Sequence, residues 1–303
     1  MTTFRAAIRL IRPEQWIKNL FLFGPLIFAR DLFVPELLAL TVRGFFVFSF
    51  AASAVYILND IADREADRAH PKKRTRPLAA GTISVPVAMA LFALLVACAV
   101  FLAMGMPPMF GLVVAAYFLM NLAYSWKLKE VVLLDVFVIA TGFMLRVLGG
   151  AFAISVPVSG WILLCTLFIA LFLGFAKRRS ELVQHAEAGK VSERKVLQLY
   201  SVNFIDQMLT IAAAGTVICY ALYTVAPRTV EVFGSDKLIY TTIFVVYGIL
   251  RYLYLIHMTD STESPTAAVT HDTPIIATVL LWIGACILFI YWSTRSAAAL
   301  PLP

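Results

Sequence analysis

The sequence predicts an all-α, polytopic membrane protein, and three observations carry that prediction. Of 303 residues, 61% are apolar and 14% charged, with a mean hydropathy of +0.86, whereas a soluble domain is about 45–50% apolar and about 25% charged. Apolar runs of membrane-spanning length follow one another with only short polar gaps. The basic residues fall in alternate gaps. This composition excludes a disordered chain, a disulfide-stapled secreted fold, a soluble dehydrogenase-like enzyme and a globular protein with a single anchor. Length alone suggests about two domains, but the short gaps favour one transmembrane domain over 1–303.

A spanning helix needs about 20 mostly apolar residues, and nine stretches qualify: 16–34, 37–58, 83–104, 107–125, 131–153, 159–176, 204–226, 238–258 and 274–294. The first follows Met-Thr-Thr-Phe-Arg without a small-residue cleavage site, so it is read as a retained helix and not a signal. The second meets no breaker until Pro71. The third and fourth are joined by a short turn at Met104 to Pro108, and the fifth and sixth by one at Ser155 to Gly160. The last two flank a Ser/Thr-rich loop, Thr259 to Thr273. Cys98, Cys165, Cys219 and Cys286 lie singly in apolar runs and read as small core residues.

Orientation follows from the cations. On one side lie Arg5, Arg9, Arg12 and Lys18, then Arg64 to Arg76, then Lys127 and Lys129, then Lys177 to Lys195. Opposite them are only Arg30, Arg228, Lys237 and Arg295. The positive-inside rule makes the first side cytoplasmic. The long polar connections, 59–82 and 177–200, are on that side, so any chemistry belongs there. The expected location is the cell (plasma or inner) membrane, with no nucleic-acid partner.

Asn59, Asp63 and Asp67 recur every fourth residue and form one oxygen-rich stripe on a helix, with Asp60 on a neighbouring line. Like charges at that spacing repel, and a divalent cation relieves the repulsion. Mg²⁺ takes a few carboxylate oxygens together with substrate phosphate oxygens, so the stripe suits a metal-bound diphosphate. A solvated helix end with ion pairs such as Asp60 with Arg64 is the plainer alternative. Directly after it comes His70-Pro71-Lys72-Lys73-Arg74-Thr75-Arg76-Pro77, a basic loop bracketed by prolines. Read blandly it is a topology signal. Beside a carboxylate row it also suits a second, separately held phosphate.

The string Asn-Asp-x-x-Asp-x-x-x-Asp resembles the first motif of the UbiA superfamily of intramembrane prenyltransferases, whose fold implies nine helices around a central cavity open to the cytoplasmic side. The longer string Asn59 to Pro77 resembles one branch, the decaprenyl-phosphate phosphoribosyltransferases. Further matches are Arg12-Pro13-x-Gln15-Trp16-x-Lys18-Asn19, Tyr124-Ser125-x-x-Leu128-Lys129 with Asp135, Gly142-Phe143-x-x-Arg146, and Lys177-Arg178-x-x-Glu181-Leu182. The resemblance implies transfer of 5-phosphoribose from phosphoribosyl diphosphate to a polyprenyl phosphate for cell-envelope glycan synthesis. It implies Mg²⁺, with Mn²⁺ as a substitute, on Asn59, Asp60, Asp63 and Asp67. By resemblance and charge, Lys18, Asn19, Arg68, Lys73, Arg74, Arg76, Tyr124, Lys129, Arg146, Lys177, Arg178 and Glu181 are the candidate substrate-binding residues. A homo-oligomer is compatible with all of this.

One departure bears on the donor. Prenyl-diphosphate users of the superfamily carry Asp-x-x-x-Asp between helices six and seven, where this chain reads Lys177-Arg178-Arg179-Ser180-Glu181, with Glu187, Glu193 and Asp206 out of spacing. Prenyl transfer to an aromatic acceptor is therefore the second enzymatic reading. A non-catalytic transporter of an anionic lipid is a third, and it leaves the acidic stripe without a task. Arg43, Asp135, Arg146 and Arg251 lie within or near spans, where each needs a partner or a polar cavity. Arg146 is read as a phosphate ligand, Arg43 and Arg251 as structural.

Overall fold

The computed structural model describes residues 3–69, 73–187, 195–258 and 272–292. His70, Pro71 and Lys72 of the basic loop, Glu193 and His271 lie outside the described residues.

Among the described residues every regular element is a helix. A short helix α1 (Thr3–Ile11) is followed by a 3-10 helix (Pro13–Leu22) and α2 (Phe23–Phe28). Then come α3 (Pro35–Ala62), α4 (Arg64–Ala69), α5 (Val85–Ala103), α6 (Pro108–Trp126), α7 (Leu134–Ala153) and α8 (Gly160–Glu187). The chain continues through α9 (Val202–Val225), α10 (Pro227–Phe233), α11 (Thr242–Met258) and α12 (Thr273–Ile287). Prolines open α3, α5, α6, α10 and α12, where a fixed φ and a missing N–H do no harm.

Eight helices among the described residues are long and apolar enough to span a membrane. They correspond to the second through ninth predicted stretches. The first, 16–34, instead forms the 3-10 helix and the six-residue α2. Pro25 has no N–H to bond back and its ring crowds the carbonyl of Phe21, and left-handed residues Arg12 (φ 56°) and Arg30 (φ 67°) bracket the segment. Irregular backbone at membrane depth is tolerated where protein buries it, and Leu22, Pro25 and Leu26 are all buried. A Cβ at Gly150 of α7 would collide with the Leu22 carbonyl, so glycine is what lets the two segments touch. The predicted loop at 177–200 is also shorter than expected, because α8 runs on to Glu187. Lys, Arg, Glu and Gln are good helix formers, and Arg178–Glu181 and Lys177–Glu181 are i,i+3 and i,i+4 pairs.

The chain separates into two compact units. One comprises Met1–Leu26, Asp31–Lys127 and Leu145–Pro157; the other comprises Ile27–Arg30, Leu128–Met144 and Val158–Pro303. In the first, α3 packs against α1, α5 and α6, with Phe48 against Phe110 and Tyr117. In the same unit the Arg43 guanidinium donates to the carbonyls of Leu102 and Met104 at the end of α5, the structural role expected of it. In the second, α8 and α9 lie side by side, and Gly215 brings α9 against the Phe168 ring. The four cysteines are free thiols.

The start of α12 in the second unit is pinned by Asp272. Its carboxylate accepts the Ile275 N–H at 2.9 Å and pairs with Arg251 at 2.9 Å. The Arg251 hydrogen bond, assisted by that N–H, holds the Asp272 carboxyl below the usual carboxylate range. A folded-state value below the unfolded one means the contribution is full above the unfolded value and is lost as pH falls through the folded one. Asp272→Ala is expected to lower unfolding stability by about 1 kcal/mol near neutral pH. The difference between the proteins should vanish on acidification, as followed by thermal unfolding in detergent.

Candidate active site

The acidic stripe forms at the end of α3. The helix breaks at Asp63, which has φ −87° and ψ 3°, yet Asp63 N–H still donates to Asn59 C=O and Asp67 N–H to Asp63 C=O, each at 2.8 Å. The four-residue register therefore survives the break. Asn59 and Asp63 are half-buried; Asp60 and Asp67 are buried.

Two guanidinium groups meet these carboxylates. Arg12 donates to Asp60 Oδ1 at 2.6 Å and lies over the Tyr56 ring, 5.1 Å from its centroid. Arg76 Nη1 donates both to Asp60 Oδ1 at 3.2 Å and to Asp67 Oδ2 at 2.7 Å. Arg76 arrives there because the loop after the 3-10 turn Lys73–Thr75 folds back: Arg76 N–H bonds Lys73 C=O, and the Pro77 carbonyl takes the N–H groups of Thr82 and Ile83. Arg68 holds the same loop through Ala79 C=O at 3.3 Å and pairs with Glu65. Lys73 is half-buried and Arg74 exposed.

The donor set fits a hard divalent cation. Among the described residues no three His, Cys, Asp or Glu side chains form a cage on their own. Mg²⁺ is usually held by one or two carboxylates plus substrate phosphates, not by an all-protein cage. Asn59, Asp63 and Asp67 offer that partial set, and one Arg76 nitrogen already places a positive charge between Asp60 and Asp67.

Farther along the same unit lies a fully buried polar node. Asn19 Nδ2 donates to Ser49 Oγ at 2.9 Å, Arg146 Nε donates to Asn19 Oδ1 at 2.7 Å, and Arg146 Nη2 donates to Tyr117 O–H at 2.8 Å. Tyr124 and Lys18 are half-buried in this unit.

The second unit carries its own charged group. Arg178, 1% exposed, donates from Nε to Asp135 Oδ2 at 2.6 Å and from Nη1 to Glu181 Oε2 at 2.6 Å; Asp135 is wholly buried. Tyr200 O–H donates to Asp135 Oδ1 at 2.8 Å and accepts the N–H of Leu133, whose φ is +67°. Burial above all pushes the Tyr200 phenol up, so it remains a donor. Lys177 is exposed, 4.0 Å from Glu181, and Lys129 is half-buried. Asp135 and Arg146, read from the sequence as sharing one helix face, take separate partners. Arg179 pairs with Asp206 at 2.7 Å, and His257 Nε2 lies 3.4 Å from the same carboxylate.

The structure thus gathers Asn59, Asp60, Asp63, Asp67, Arg68, Lys73, Arg74 and Arg76 at one end of α3, and Asn19 with Arg146 in one node. Lys129, Lys177, Arg178 and Glu181 belong to the other unit. Arg12, Tyr117 and Tyr200 were missing from the predicted site. Arg12 lay inside a quoted motif, whereas a tyrosine in an apolar run sends no signal of its own.

The matching family model is the UbiA prenyltransferase family, over residues 20–282. The chain belongs to that family. It is 33% identical over 296 residues to the decaprenyl-phosphate phosphoribosyltransferase of Mycolicibacterium smegmatis, covering 94% of this chain and 92% of that one. The enzyme of the same name from Mycobacterium tuberculosis is 36% identical over 220 residues, 71% of this chain and 72% of that one. Among solved structures, a UbiA homolog from Archaeoglobus fulgidus bound to GPP and Mg²⁺ superposes with a TM-score of 0.70 at 21% identity, over 94% of this chain and 99% of that one.

Proposed function

We propose that the protein transfers 5-phosphoribose from phosphoribosyl diphosphate to a polyprenyl phosphate, decaprenyl phosphate by analogy with the named relatives, releasing diphosphate. The observation that carries this reading is the meeting of acidic and basic rows on Arg76, which bonds Asp60 and Asp67 together. A donor bearing both a metal-bound diphosphate and a separate monophosphate needs both signs of charge side by side. Mg²⁺, or Mn²⁺ in its place, would sit on Asn59, Asp63 and Asp67 and would neutralise charge on the departing diphosphate. The site is assigned to the cytoplasmic face of the cell membrane by the distribution of basic residues.

In this reaction an oxygen of the lipid phosphate forms a bond to the anomeric carbon. The bond from that carbon to diphosphate breaks, and its electron pair leaves with the diphosphate. The attacking oxygen is already anionic, so no strong general base is required; the demanding event is departure from a carbon that turns oxocarbenium-like. Fixed cations meet that demand as electrostatic stabilisers. Lys73, Arg74 and Arg76 are assigned to donor phosphates, and Lys18, Tyr124, Lys129, Arg146 and Lys177 to phosphate contacts of donor or lipid. Arg68 orders the basic loop. Arg178 and Glu181 are assigned to holding Asp135 in place, since the Arg178 side chain is 1% exposed and its Nε and Nη1 donate to Asp135 and Glu181, whereas that of Arg76 is 31% exposed.

Alanine at Lys73, Arg74 or Arg76 is expected to raise the donor KM several-fold, about 1–2 kcal/mol of charge-assisted contact each. The lipid KM should stay unchanged. Unaltered donor KM at all three positions returns the loop to a topology signal.

The direct test offers phosphoribosyl diphosphate and geranylgeranyl diphosphate together, with polyprenyl phosphate and 4-hydroxybenzoate as acceptors, and identifies products by mass. A phosphoribosylated lipid supports the proposal. A prenylated benzoate as sole product overturns it and moves Lys177 out of phosphate binding.

A further inference from the structure

Helix α1 has three faces. At about 100° per residue, Ala6 and Leu10 share one face, and both are fully buried. They pack with Ala54 and Ile57, in the final turns of α3 before Asn59. A second face carries Phe4 and Ile8, which are 73% and 41% exposed. The third carries Arg5 and Arg9, both exposed. In a soluble helix the large apolar residues face the protein. Here alanine and leucine take that side, and phenylalanine and isoleucine point away from it.

The position of α1 along α3 is fixed by hydrogen bonds. Ile11 C=O accepts from Ser53 Oγ at 2.7 Å, and Ser53 Oγ in turn accepts from Trp16 Nε1 at 3.0 Å. Ser53 lies six residues before Asn59 on the same spanning helix, about 9 Å along its axis. The end of α1 is thus tied to α3 short of the acidic stripe, on the side where the basic residues cluster, and an interfacial helix buries its apolar face about 5–10 Å into the headgroup and acyl boundary. Phe4 and Ile8 then have a medium to enter, while the neighbouring arginines snorkel toward headgroup phosphates.

We infer that α1 is a docking helix for a bilayer surface rich in anionic phospholipid. An apolar face flanked by two guanidinium groups complements acyl chain and phosphate at once, which a soluble acidic protein would not do. The residue that follows the helix, Arg12, is bonded to Asp60, so bilayer contact also steadies one wall of the candidate site.

Hydrogen exchange on the full-length protein tests this independently of the reaction. The protein is placed in nanodiscs of phosphatidylcholine alone, or with about 30% phosphatidylglycerol, and exchange is followed in peptides covering 3–11. Each basic residue near an anionic surface contributes about 1 kcal/mol, so phosphatidylglycerol should slow exchange there by roughly tenfold or more. The double variant Arg5→Glu/Arg9→Glu should lose the lipid dependence while α3 peptides exchange as in the parent. Phe4→Ser/Ile8→Ser should lose protection in both lipids. If charge reversal unfolds the protein, Arg5→Gln/Arg9→Gln reads the same effect. No slowing by phosphatidylglycerol, or equal slowing in the charge variants, overturns the inference. So does protection that follows the number of protein copies per disc, which would make the face a contact between copies of this chain.

Discussion

Asp63→Ala and Asp67→Ala are expected to lower turnover by about 10²–10³-fold or more, the scale seen when one electrostatic stabiliser of a charged transition state is removed. The two positions differ in what else they hold. Asp67 is buried and accepts Arg76 at 2.7 Å, so its loss also frees the basic loop, whereas Asp63 is half-buried at the break between α3 and α4. Asp67→Asn keeps the shape and removes the charge, which separates the two effects. Excess chelator should abolish turnover in the parent, and Mg²⁺ should restore it. A readout without turnover is Mn²⁺ binding by electron paramagnetic resonance, which should weaken in both aspartate variants. Asp60 behaves differently, because two guanidinium groups already occupy it. Asp60→Asn should loosen the Arg12 and Arg76 contacts and raise donor KM, with less effect on Mn²⁺ affinity. Full turnover in chelator, or unchanged Mn²⁺ affinity in both Asp63 and Asp67 variants, refutes the metal assignment.

The legible parts of this chain are those written locally. Apolar runs beginning near Pro35, Pro86, Pro108 and Pro274 announce helices, because length and hydropathy decide spanning and proline decides the start. The carboxylate row is legible for the same reason: Asn59, Asp63 and Asp67 follow one helical register, which persists through the break at Asp63. Hydropathy marked 16–34 as one helix, since apolarity says where a segment resides and not how its backbone bonds; the chain there is 3-10 up to Leu22 and α-helical only over Phe23–Phe28. It also misread 177–187 as loop, since polarity signals water and not loss of helix. Tertiary pairs are the other blind spot. Arg12 and Asp60 are 48 residues apart, Arg178 and Asp135 are 43, and Asn19 and Arg146 are 127. Residue type alone cannot tell a cation reserved for substrate from one already committed to a buried carboxylate.

Arg178 is where that distinction has its largest expected effect on stability. Its guanidinium is 1% exposed and its partner Asp135 is fully buried, at 2.6 Å. Replacing Arg178 by Met leaves a buried carboxylate that, among the described residues, keeps the Tyr200 hydroxyl and no ion pair, and breaking a buried pair from one side costs about 3–5 kcal/mol. The same loss removes the tie to Glu181, one turn along α8. Thermal unfolding in detergent should show Arg178→Met far less stable than the parent. Adding Asp135→Leu should recover much of the deficit, because a pair of matched apolar residues avoids the unpaired charge altogether. Arg178→Lys keeps the charge but not the fork that reaches two carboxylates, so it should fall between them. Substrate contact predicts a different pattern: Arg178→Met would keep the parent's unfolding midpoint and raise KM for donor or lipid. That result would return Arg178 to the phosphate-binding set and leave Asp135 with Tyr200 as its essential partner.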